Sequence, residues 1–478
     1  MKENNCIKMK ILSNKYITAI LALVVLASCK VGQNYRRPDL KMPEQYTGSQ
    51  ATDSSIAAVP WNSFFEDATL RALIGKAINE NFDLQVAIRR TEVARLYLKQ
   101  ARLGMLPSLN LQATASSTTP SKNSLNGLSL NNFLGTDHIE DYNLNAGLSW
   151  EADIWGKIRR QKEAAKATYL QSDEAAKAVK TALVADVAES YFNLLMLDEQ
   201  LAVAKKNLGL SDSIVYMMQL QKQAGEVTEL AVQQAIVQQQ AAAQLVPELE
   251  QSVAIQEHAL SLLLGDMPGS ITRNGSLEDV HMAGDYGTGV PAALLSNRPD
   301  VRAGELALVA ANARAGVAQA QMYPSLNITA SGGVNAFKAD AWFNLPGSLF
   351  GIVAGSLMQP VFQQRKLRTQ WEVAKNEREQ AVLRFRQTVV NAVREVSDAL
   401  VSKEKLATQY DLVRGQADTL QHAVSNAQLL FKSGMANYLE VISVQRNVLQ
   451  TELTLVQVKR RQLNANVELY RSLGGGWR

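Results

Sequence analysis

The sequence Met-Leu-Pro-Ser-Leu-Asn occupies positions 105–110, and Met-Tyr-Pro-Ser-Leu-Asn occupies positions 322–327. A matching start precedes each hexapeptide at the same distance, Asn-Phe-Asp-Leu at 81–84 and Arg-Pro-Asp-Val at 298–301. Later landmarks recur in the same order: Gly225 corresponds to Gly434, and Leu-Gly at 264–265 corresponds to Leu-Gly at 473–474. An ordered series of this kind predicts an internal duplication.

Within each copy the hydrophobic period changes to two directly after the shared proline. In the first copy, apolar residues at 109, 111 and 113 alternate with polar residues at 110, 112 and 114. This period predicts strands at about 108–116, 142–151, 325–333 and 350–359. Each segment is about as long as a tilted strand that crosses a bilayer. A pair of soluble hairpins is the alternative interpretation.

Long helices are predicted for the remainder of each copy. No proline occurs from Lys157 to Gln223, a stretch of about 67 residues that would measure about 100 Å as a helix. The chain turns at 224–226 and returns to about 264, and a helix at about 70–105 precedes the strands. The second copy repeats this arrangement at about 365–431, 437–472 and 292–322. An isolated coiled coil would share these helices and is a second alternative.

Four membrane-crossing strands cannot close a barrel within one chain, because open edges would leave backbone groups unpaired in hydrocarbon. A barrel of about eight strands is filled by side chains, whereas three copies of this chain would give twelve strands around a water-accessible lumen. The predicted fold class is therefore mainly α with a membrane β-barrel. Each internally duplicated subunit supplies four β-strands plus long helices, and a trimer forms a 12-stranded barrel on an α-helical periplasmic tunnel.

The first 28 residues have the features of an export signal. Basic residues precede an apolar stretch from Ile17 to Ala27 that is too short to span a bilayer, and Leu-Ala-Ser-Cys at 26–29 resembles a bacterial lipobox. Cleavage before Cys29 would leave its thiol acylated, and an ordinary signal peptide with a chance cysteine is the alternative. Cys6 would leave with the signal, so no cysteine would remain for a disulfide or a metal.

Charge and motifs exclude two classes of function. The formal net charge is +4, and four lysines against Glu3 place +3 of it in the signal, which leaves +1 on the mature chain. A nearly neutral chain offers no basic face, so we expect no nucleic-acid partner. The four histidines, at positions 138, 258, 281 and 422, are scattered without metal-ligand spacing. The sequence also contains no glycine-rich phosphate loop after a strand and no nucleophile motif. We therefore expect no enzyme activity, no cofactor and no metal.

Several short motifs together resemble the outer-membrane factors of the TolC type, and most closely the lipoprotein branch that serves RND efflux pumps. They are the segment 29–38 that begins at Cys29, the run Asn-Arg-Pro-Asp-Val-Arg at 297–302, the twin Pro-Ser-Leu-Asn segments and the junction Trp-Gly-Lys at 155–157. The resemblance covers essentially the whole mature chain. It implies a homotrimer, an equatorial collar, a periplasmic adaptor (membrane fusion) protein and, indirectly, an inner-membrane RND-type pump.

The domain boundaries combine the duplication with this resemblance. They are a signal peptide at 1–28, an N-terminal lipid-anchored collar segment at 29–69, a first repeat at 70–265, an inter-repeat collar segment at 266–291, a second repeat at 292–474 and a tail at 475–478. The implied function is passive conduction of small molecules to the exterior through the outer membrane. A duct for type I protein or peptide secretion, and less favourably a lipid-anchored coiled coil, are the alternatives.

The resemblance also places a periplasmic gate and adaptor contact at the two helical turns. It assigns this role to Gly225 and Glu229 in the first turn and to Gly434, Tyr438 and Glu440 in the second. A helix C-terminus often needs a left-handed glycine, which explains both glycines without any contact. Three copies of Glu440 would form an acidic ring that attracts cations, or this residue is a solvated first-turn acid. The ring predicts that Glu440→Ala changes cation selectivity more than Glu229→Ala does.

Overall fold

The computed structural model describes residues 31–46, 55–273, 275–280, 282 and 289–478. Cys29 and the predicted signal peptide lie outside the described residues. The first copy contains α1 (Ala68–Glu80), α2 (Phe82–Leu103), β1 (Ser108–Thr118), α3 (Leu125–Leu134), β2 (Ile139–Ala152), α4 (Lys157–Gln223) and α5 (Glu229–Leu263). The second contains α6 (Pro299–Ala320), β3 (Ser325–Ala336), β4 (Leu349–Met358), α7 (Lys366–Lys432) and α8 (Tyr438–Ser472). Short helical turns lie at Ile56–Ala58, Trp61–Phe64, Pro291–Ala293, Leu294–Asn297 and Ala339–Ala341.

The helix lengths repeat between the two copies. α2 and α6 have 22 residues each, α4 and α7 have 67 each, and α5 and α8 have 35 each. From the start of α4 and of α7 onward, equivalent positions stay 209 residues apart. Residues of the two copies can therefore be compared position by position.

Each helix predicted before a strand pair is interrupted near its start. At Asn81 the backbone is extended, and the side-chain Oδ1 accepts the N–H of Leu84 at 3.0 Å, so that α2 begins with its own cap. In the second copy the break falls at Arg298, which is extended because Pro299 follows it. The predicted spans 70–105 and 292–322 were therefore wrong as single helices.

A helix that the sequence analysis did not predict lies between the first two strands. α3 occupies Leu125–Leu134 between β1 and β2, and the hydroxyl of Ser124 accepts the N–H of Gly127 at 3.1 Å as its cap. The segment is rich in Asn, Ser and Gly, which individually disfavour helix, so its composition does not predict a helix.

The four strands form one antiparallel sheet in the order β1-β2-β3-β4. The central pair, β2 with β3, joins the two copies. The register aligns Leu109, Leu148, Ala330 and Val353 in one row across all four strands. The opposite face carries rows such as Gln112, Asn145, Gly333 and Phe350. One face of the sheet is thus apolar, and the other is polar on β1 and β2.

The edge strand β4 is apolar on both faces. Val353 lies in the apolar row, while Phe350 and Ile352 project from the face that is polar on β1 and β2. The sequence of β4 therefore shows no clean alternation. Only the register with β3 assigns its residues to faces.

The described chain divides into two compact units, and each takes segments from both copies. One unit contains the sheet, with residues 93–169 and 306–382 and the segment 31–37. The other contains the described parts of 38–92, 170–305 and 383–478. Among the helices that the structure describes, none is both long enough and apolar enough to cross a membrane.

An aromatic cluster lies in the second unit. The rings of Phe64 and Tyr470 stack with centroids 4.1 Å apart, and the hydroxyl of Tyr470 donates to the carbonyl of Val59 at 2.6 Å. The hydroxyl of Tyr191 donates to Asp67 Oδ2 at 3.2 Å. These contacts attach the segment before α1 to α4 and α8.

Candidate functional site: the two helical turns

The first turn joins α4 to α5. α4 ends at Gln223, and Gly225 adopts a φ of +78°. The N–H of Glu226 then donates to the carbonyl of Gln221 at 2.9 Å, which closes the helix as a Schellman motif does. Thr228 begins α5, and its hydroxyl accepts the N–H of Ala231 at 3.4 Å.

The second turn joins α7 to α8 in the same way. Gly434 adopts a φ of +73°, and the N–H of Met435 donates to the carbonyl of Leu430 at 2.9 Å. Asn437 caps α8, and Glu440 completes a capping box, because Glu440 Oε2 accepts the backbone N–H of Asn437 at 3.3 Å. No atom lies within 4 Å of the position that a Cβ would take at Gly434. Backbone conformation alone requires this glycine.

A shared apolar cluster holds the two turns together. Met218 of α4 is fully buried in it, and Val232 of α5 and Val441 of α8 occupy equivalent positions in the two copies. The remaining buried members are Ile214, Ala231, Ala235 and Ala427. The turns therefore end one packed bundle to which both hairpins contribute.

The polar residues of the turns have different partners. Glu229 forms an ion pair with Lys222 across the first turn. The hydroxyl of Tyr438 donates to Gln234 Oε1, which links α8 to α5. Among the described residues, the side chain of Glu440 bonds only to the backbone of its own helix cap.

The structure thus brings all five predicted gate residues to these two turns, and it adds partners that sequence reasoning missed. The pattern Asn-x-x-Glu at 437–440 is a readable capping signal that could have been found. Lys222 lies in the last turn of α4, where a cation is favoured. The bond between Tyr438 and Gln234 had no local signal, since it joins side chains of different copies.

In the ranges that the structure describes, no group of three or more His, Cys, Asp or Glu side chains has the arrangement of a metal site.

The model of the family described as outer membrane efflux protein matches residues 73–266 and 290–475 of this chain. The chain belongs to this family. Both matched segments coincide with the two copies of the duplication, and the resemblance predicted from the sequence is confirmed.

Two relatives in this family align over nearly the whole chain. The solvent efflux pump outer membrane protein SrpC of Pseudomonas putida is 31% identical over 96% of this chain and 97% of its own length. The cation efflux system protein CusC of Escherichia coli O6:H1 is 29% identical over 95% of this chain and 97% of its own length. The solved structure of the outer-membrane channel OprN superposes with a TM-score of 0.86 at 26% identity, covering 94% of this chain and 100% of that one. The protein is an outer-membrane efflux channel protein, and its predicted mainly helical, duplicated fold with four strands is confirmed.

Proposed function

We propose that three copies of this efflux family member form a continuous duct, which receives small molecules from a periplasmic adaptor and an inner-membrane RND-type pump. The observation that carries the proposal is the open four-stranded sheet. β1 and β4 are its outer strands, and each pairs on one side only within the described chain. Three such sheets joined edge to edge give a closed twelve-stranded barrel with every strand paired.

Side-chain exposure supports edge-to-edge assembly within a lipid bilayer. Leu111 of β1 and Val353 of β4 are 79% and 80% exposed, although both lie on the apolar face of the sheet. Exposure of such an apolar surface to water is unfavourable, whereas the acyl chains of a bilayer would cover it.

Aromatic side chains lie near both ends of the sheet. Trp155 and Tyr323 pack with ring centroids 5.0 Å apart at the end that leads into the helices. At the hairpin end, Trp342 packs against Tyr142 at 5.5 Å and against Phe343 at 5.0 Å. Aromatic girdles at both interfaces are typical of outer-membrane barrels.

α7 supplies a second surface for subunit contact. Its exposed apolar residues recur at a spacing that keeps them on one face of the helix: Leu383, Val390, Val401 and Leu412. An apolar helical stripe that the chain itself does not cover fits burial against a neighbouring copy in the trimer.

The lipid anchor at Cys29 is part of the proposal. Residues just after it are held firmly, because Arg160 Nη2 donates to the carbonyl of Gly32 and to Asn34 Oδ1, both at 3.0 Å. Asn312 Nδ2 donates to the carbonyl of Gln33 at 3.0 Å. An acyl chain on Cys29, three residues from this clamp, would enter lipid beside the sheet-bearing unit.

The collar is proposed for the segments 29–69 and 266–291 and for the C-terminal end. The stacking of Phe64 on Tyr470 supports this for the first and last of them. Arg273 supports it for the middle segment, because its Nη2 donates to Asp198 Oδ1 of α4 at 2.7 Å.

The gate and adaptor contact are proposed at the two turns, with Gly225, Glu229, Gly434, Tyr438 and Glu440. Lys222 neutralises Glu229, while Glu440 keeps an unpaired carboxylate charge among the described residues. This difference supports an acidic ring made by the second turn.

The substrates named for the relatives support a duct that does not itself strongly select its substrate. SrpC is named for solvents and CusC for cations, and their identities to this chain differ by little. We infer that the pump selects the substrate and that this chain passes what it receives.

Heat-resistant trimers in outer-membrane fractions, together with ion conductance in planar bilayers, test the duct. We expect both from the full chain, and soluble monomers without conductance would refute it. Sensitivity of a deletion strain across compound classes separates efflux from the alternative, a type I secretion duct, for which a lost secreted protein is expected.

The gate is tested with Glu440→Gln, because glutamine keeps the capping box and removes the charge. We expect reduced cation selectivity in bilayer recordings, with Glu229→Gln as the matched control that changes it less. Equal effects of the two variants would contradict the acidic ring.

A further inference from the structure

The helix α3, between β1 and β2, carries apolar side chains that its own chain leaves uncovered. Leu125, Leu128 and Phe133 are 82%, 54% and 87% exposed, whereas Leu130 on the opposite side of the helix is buried. Helical geometry places the three exposed residues on one side, since successive residues turn by about 100°. α3 thus has one packed side and one open side that is partly apolar.

Local contacts hold α3 in a defined place on the loop that precedes it. The hydroxyl of Ser124 caps the helix and donates to the carbonyl of Ser121 at 2.6 Å. Gly127 is buried against the same segment, and a Cβ at this position would collide with the Ser121 carbonyl. The direction of the open side is therefore fixed by the fold.

A second uncovered apolar patch lies in the connection from β3 to β4, residues 337–348. Phe343 and Leu345 are 63% and 60% exposed. The base of this connection is attached to the same chain, because Trp342 packs against Tyr142 and Asn335 Nδ2 donates to Asp141 Oδ1 at 2.7 Å. These attachments lead to β2, and the two exposed side chains remain without cover from their own chain.

The strand order brings the two patches together only between different copies. Both connections lie at the end of the sheet opposite the long helices, because α2 and α6 precede β1 and β3, and β2 and β4 lead into α4 and α7. In a closed barrel the outer strand β4 of one copy pairs with β1 of the next, about 4.8 Å away. Leu345 precedes β4 by four residues, and α3 begins seven residues after β1 ends, so both lie within reach of this junction.

We propose that α3 of each copy packs against the β3–β4 connection of the neighbouring copy and forms a clasp at the outer mouth of the barrel. In this clasp Leu125, Leu128 and Phe133 cover Phe343 and Leu345 of the next subunit. The clasp rests on the proposed trimer and continues its β1–β4 contact beyond the membrane. It adds to the duct a specific surface that recognises a second copy of this chain.

The composition of α3 favours a protein surface over lipid as the occupant. Asn126, Ser129 and Asn132 are exposed on the same open side as the apolar residues. A helix that lies in a bilayer interface presents a continuous apolar face with basic residues on the other, and α3 has neither feature. Apolar side chains mixed with amides and a hydroxyl are typical of contacts between subunits.

Cysteine cross-linking in outer-membrane fractions tests the clasp on the full chain. Leu128→Cys is combined with Leu345→Cys, and the membranes are oxidised and then boiled without reductant. We expect covalent dimers and trimers that reductant returns to monomers, since a disulfide forms only where the two Cα atoms approach within about 7 Å. Leu128→Cys with Lys338→Cys is the matched control, because Lys338 lies at the β3 side of the connection, and it should give far less dimer. Each single-cysteine variant should give none.

The heat resistance of the trimer supplies a second measurement. Leu128→Asn combined with Phe133→Asn should lower the temperature at which the detergent-solubilised trimer dissociates on a gel. Asn126→Ser, an exposed polar change on the same helix, should leave that temperature unchanged.

Three cross-linking results would overturn the clasp while leaving the duct intact, provided that unboiled samples still contain trimers. A disulfide confined to single chains would make the chain's own connection the partner of α3. The absence of any disulfide would leave lipid or water against α3, and equal dimer yields from the test and control pairs would show contact without specificity. Unboiled samples without trimers would refute the duct and, with it, the clasp.

Discussion

Replacing Arg298 with methionine should destabilise the protein strongly, because this guanidinium is buried and makes four polar contacts. Its side chain is 6% exposed. Nε and Nη2 donate to Asp300 at 3.0 and 2.7 Å, and Nη1 donates to the carbonyl of Ser472 at 3.0 Å and pairs with Glu395 at 2.9 Å. The arginine thus ties the start of α6 to α7 and to the end of α8.

Removing one partner of a buried ion pair costs about 3–5 kcal/mol. The lower end applies, since Glu395 keeps a contact with Arg471 at 3.5 Å and Asp300 is partly exposed. With an unfolding entropy of about 2.1 cal/mol/K per residue, 478 residues give about 1 kcal/mol/K. A loss of about 3 kcal/mol therefore lowers the thermal midpoint by about 3 °C.

Thermal unfolding followed by circular dichroism measures this shift. Arg302→Met is the matched control, because Arg302 lies in the same motif but its side chain is 42% exposed and pairs with Glu174 at 3.2 Å. Arg302 is partly exposed, and the buried Glu174 keeps its contact with Lys177 at 3.0 Å, so this variant should shift the midpoint by about 1 °C or less. Equal shifts in the two variants would refute the conclusion that Arg298 connects α6 with α7 and α8 through buried contacts.

The ion pair between Arg298 and Asp300 predicts that the stability of the protein depends on pH. Burial alone would raise the pKa of Asp300, but the hydrogen bonds and charge of Arg298 outweigh it and hold this pKa below its ordinary value. The stabilisation is therefore present above the unfolded pKa of about 4 and is lost as the pH falls through the folded pKa. The difference between wild type and Arg298→Met should shrink below about pH 4, and a constant difference would contradict the linkage.

Three further changes test other parts of the structure. Gly434→Ala should lower stability by about 1–2 kcal/mol because of the left-handed backbone, whereas Gly415→Ala inside α7 should raise it by about 0.5–1 kcal/mol; opposite signs in thermal scans are expected. Burial, reinforced by neighbouring acids, raises the pKa of Glu189, so Glu189→Gln should raise the midpoint at neutral pH and lose this gain below about pH 4. Arg160→Ala should speed protease cleavage within 31–37, as read by mass spectrometry, and unchanged cleavage would argue against the clamp.

Much of the fold was predictable because long, uninterrupted stretches of sequence and the residues at their ends determine the helices. The absence of proline between Lys157 and Gln223, with Gly225 just after, gave the bounds of α4. Each break in these helices also had a signal in the sequence: Asn81 is a capping residue, and a proline follows Arg298. The helical period continues on both sides of each break, so the sequence analysis predicted single helices.

Features that depend on distant parts of the chain were not predictable. The faces of β4 follow from its register with β3, which the Gly-rich sequence of β4 does not encode. At the candidate site the turns themselves were readable from Gly225 and Gly434. The bond between Tyr438 and Gln234 was not, because it joins residues 204 positions apart.

Comparison of the two copies separates residues that the fold requires from those that it does not. Val232 and Val441 are both apolar and buried, so packing accounts for them. Glu440 corresponds to the buried Ala231, yet its capping box gives the acid a structural reason, and a ring of charge would be an added consequence of that cap. Gln445 has no such reason: Ile236 fills the equivalent position, and the amide that replaces it lacks a partner among the described residues. The described residues thus give a structural reason for the acid at position 440 and none for the glutamine at position 445.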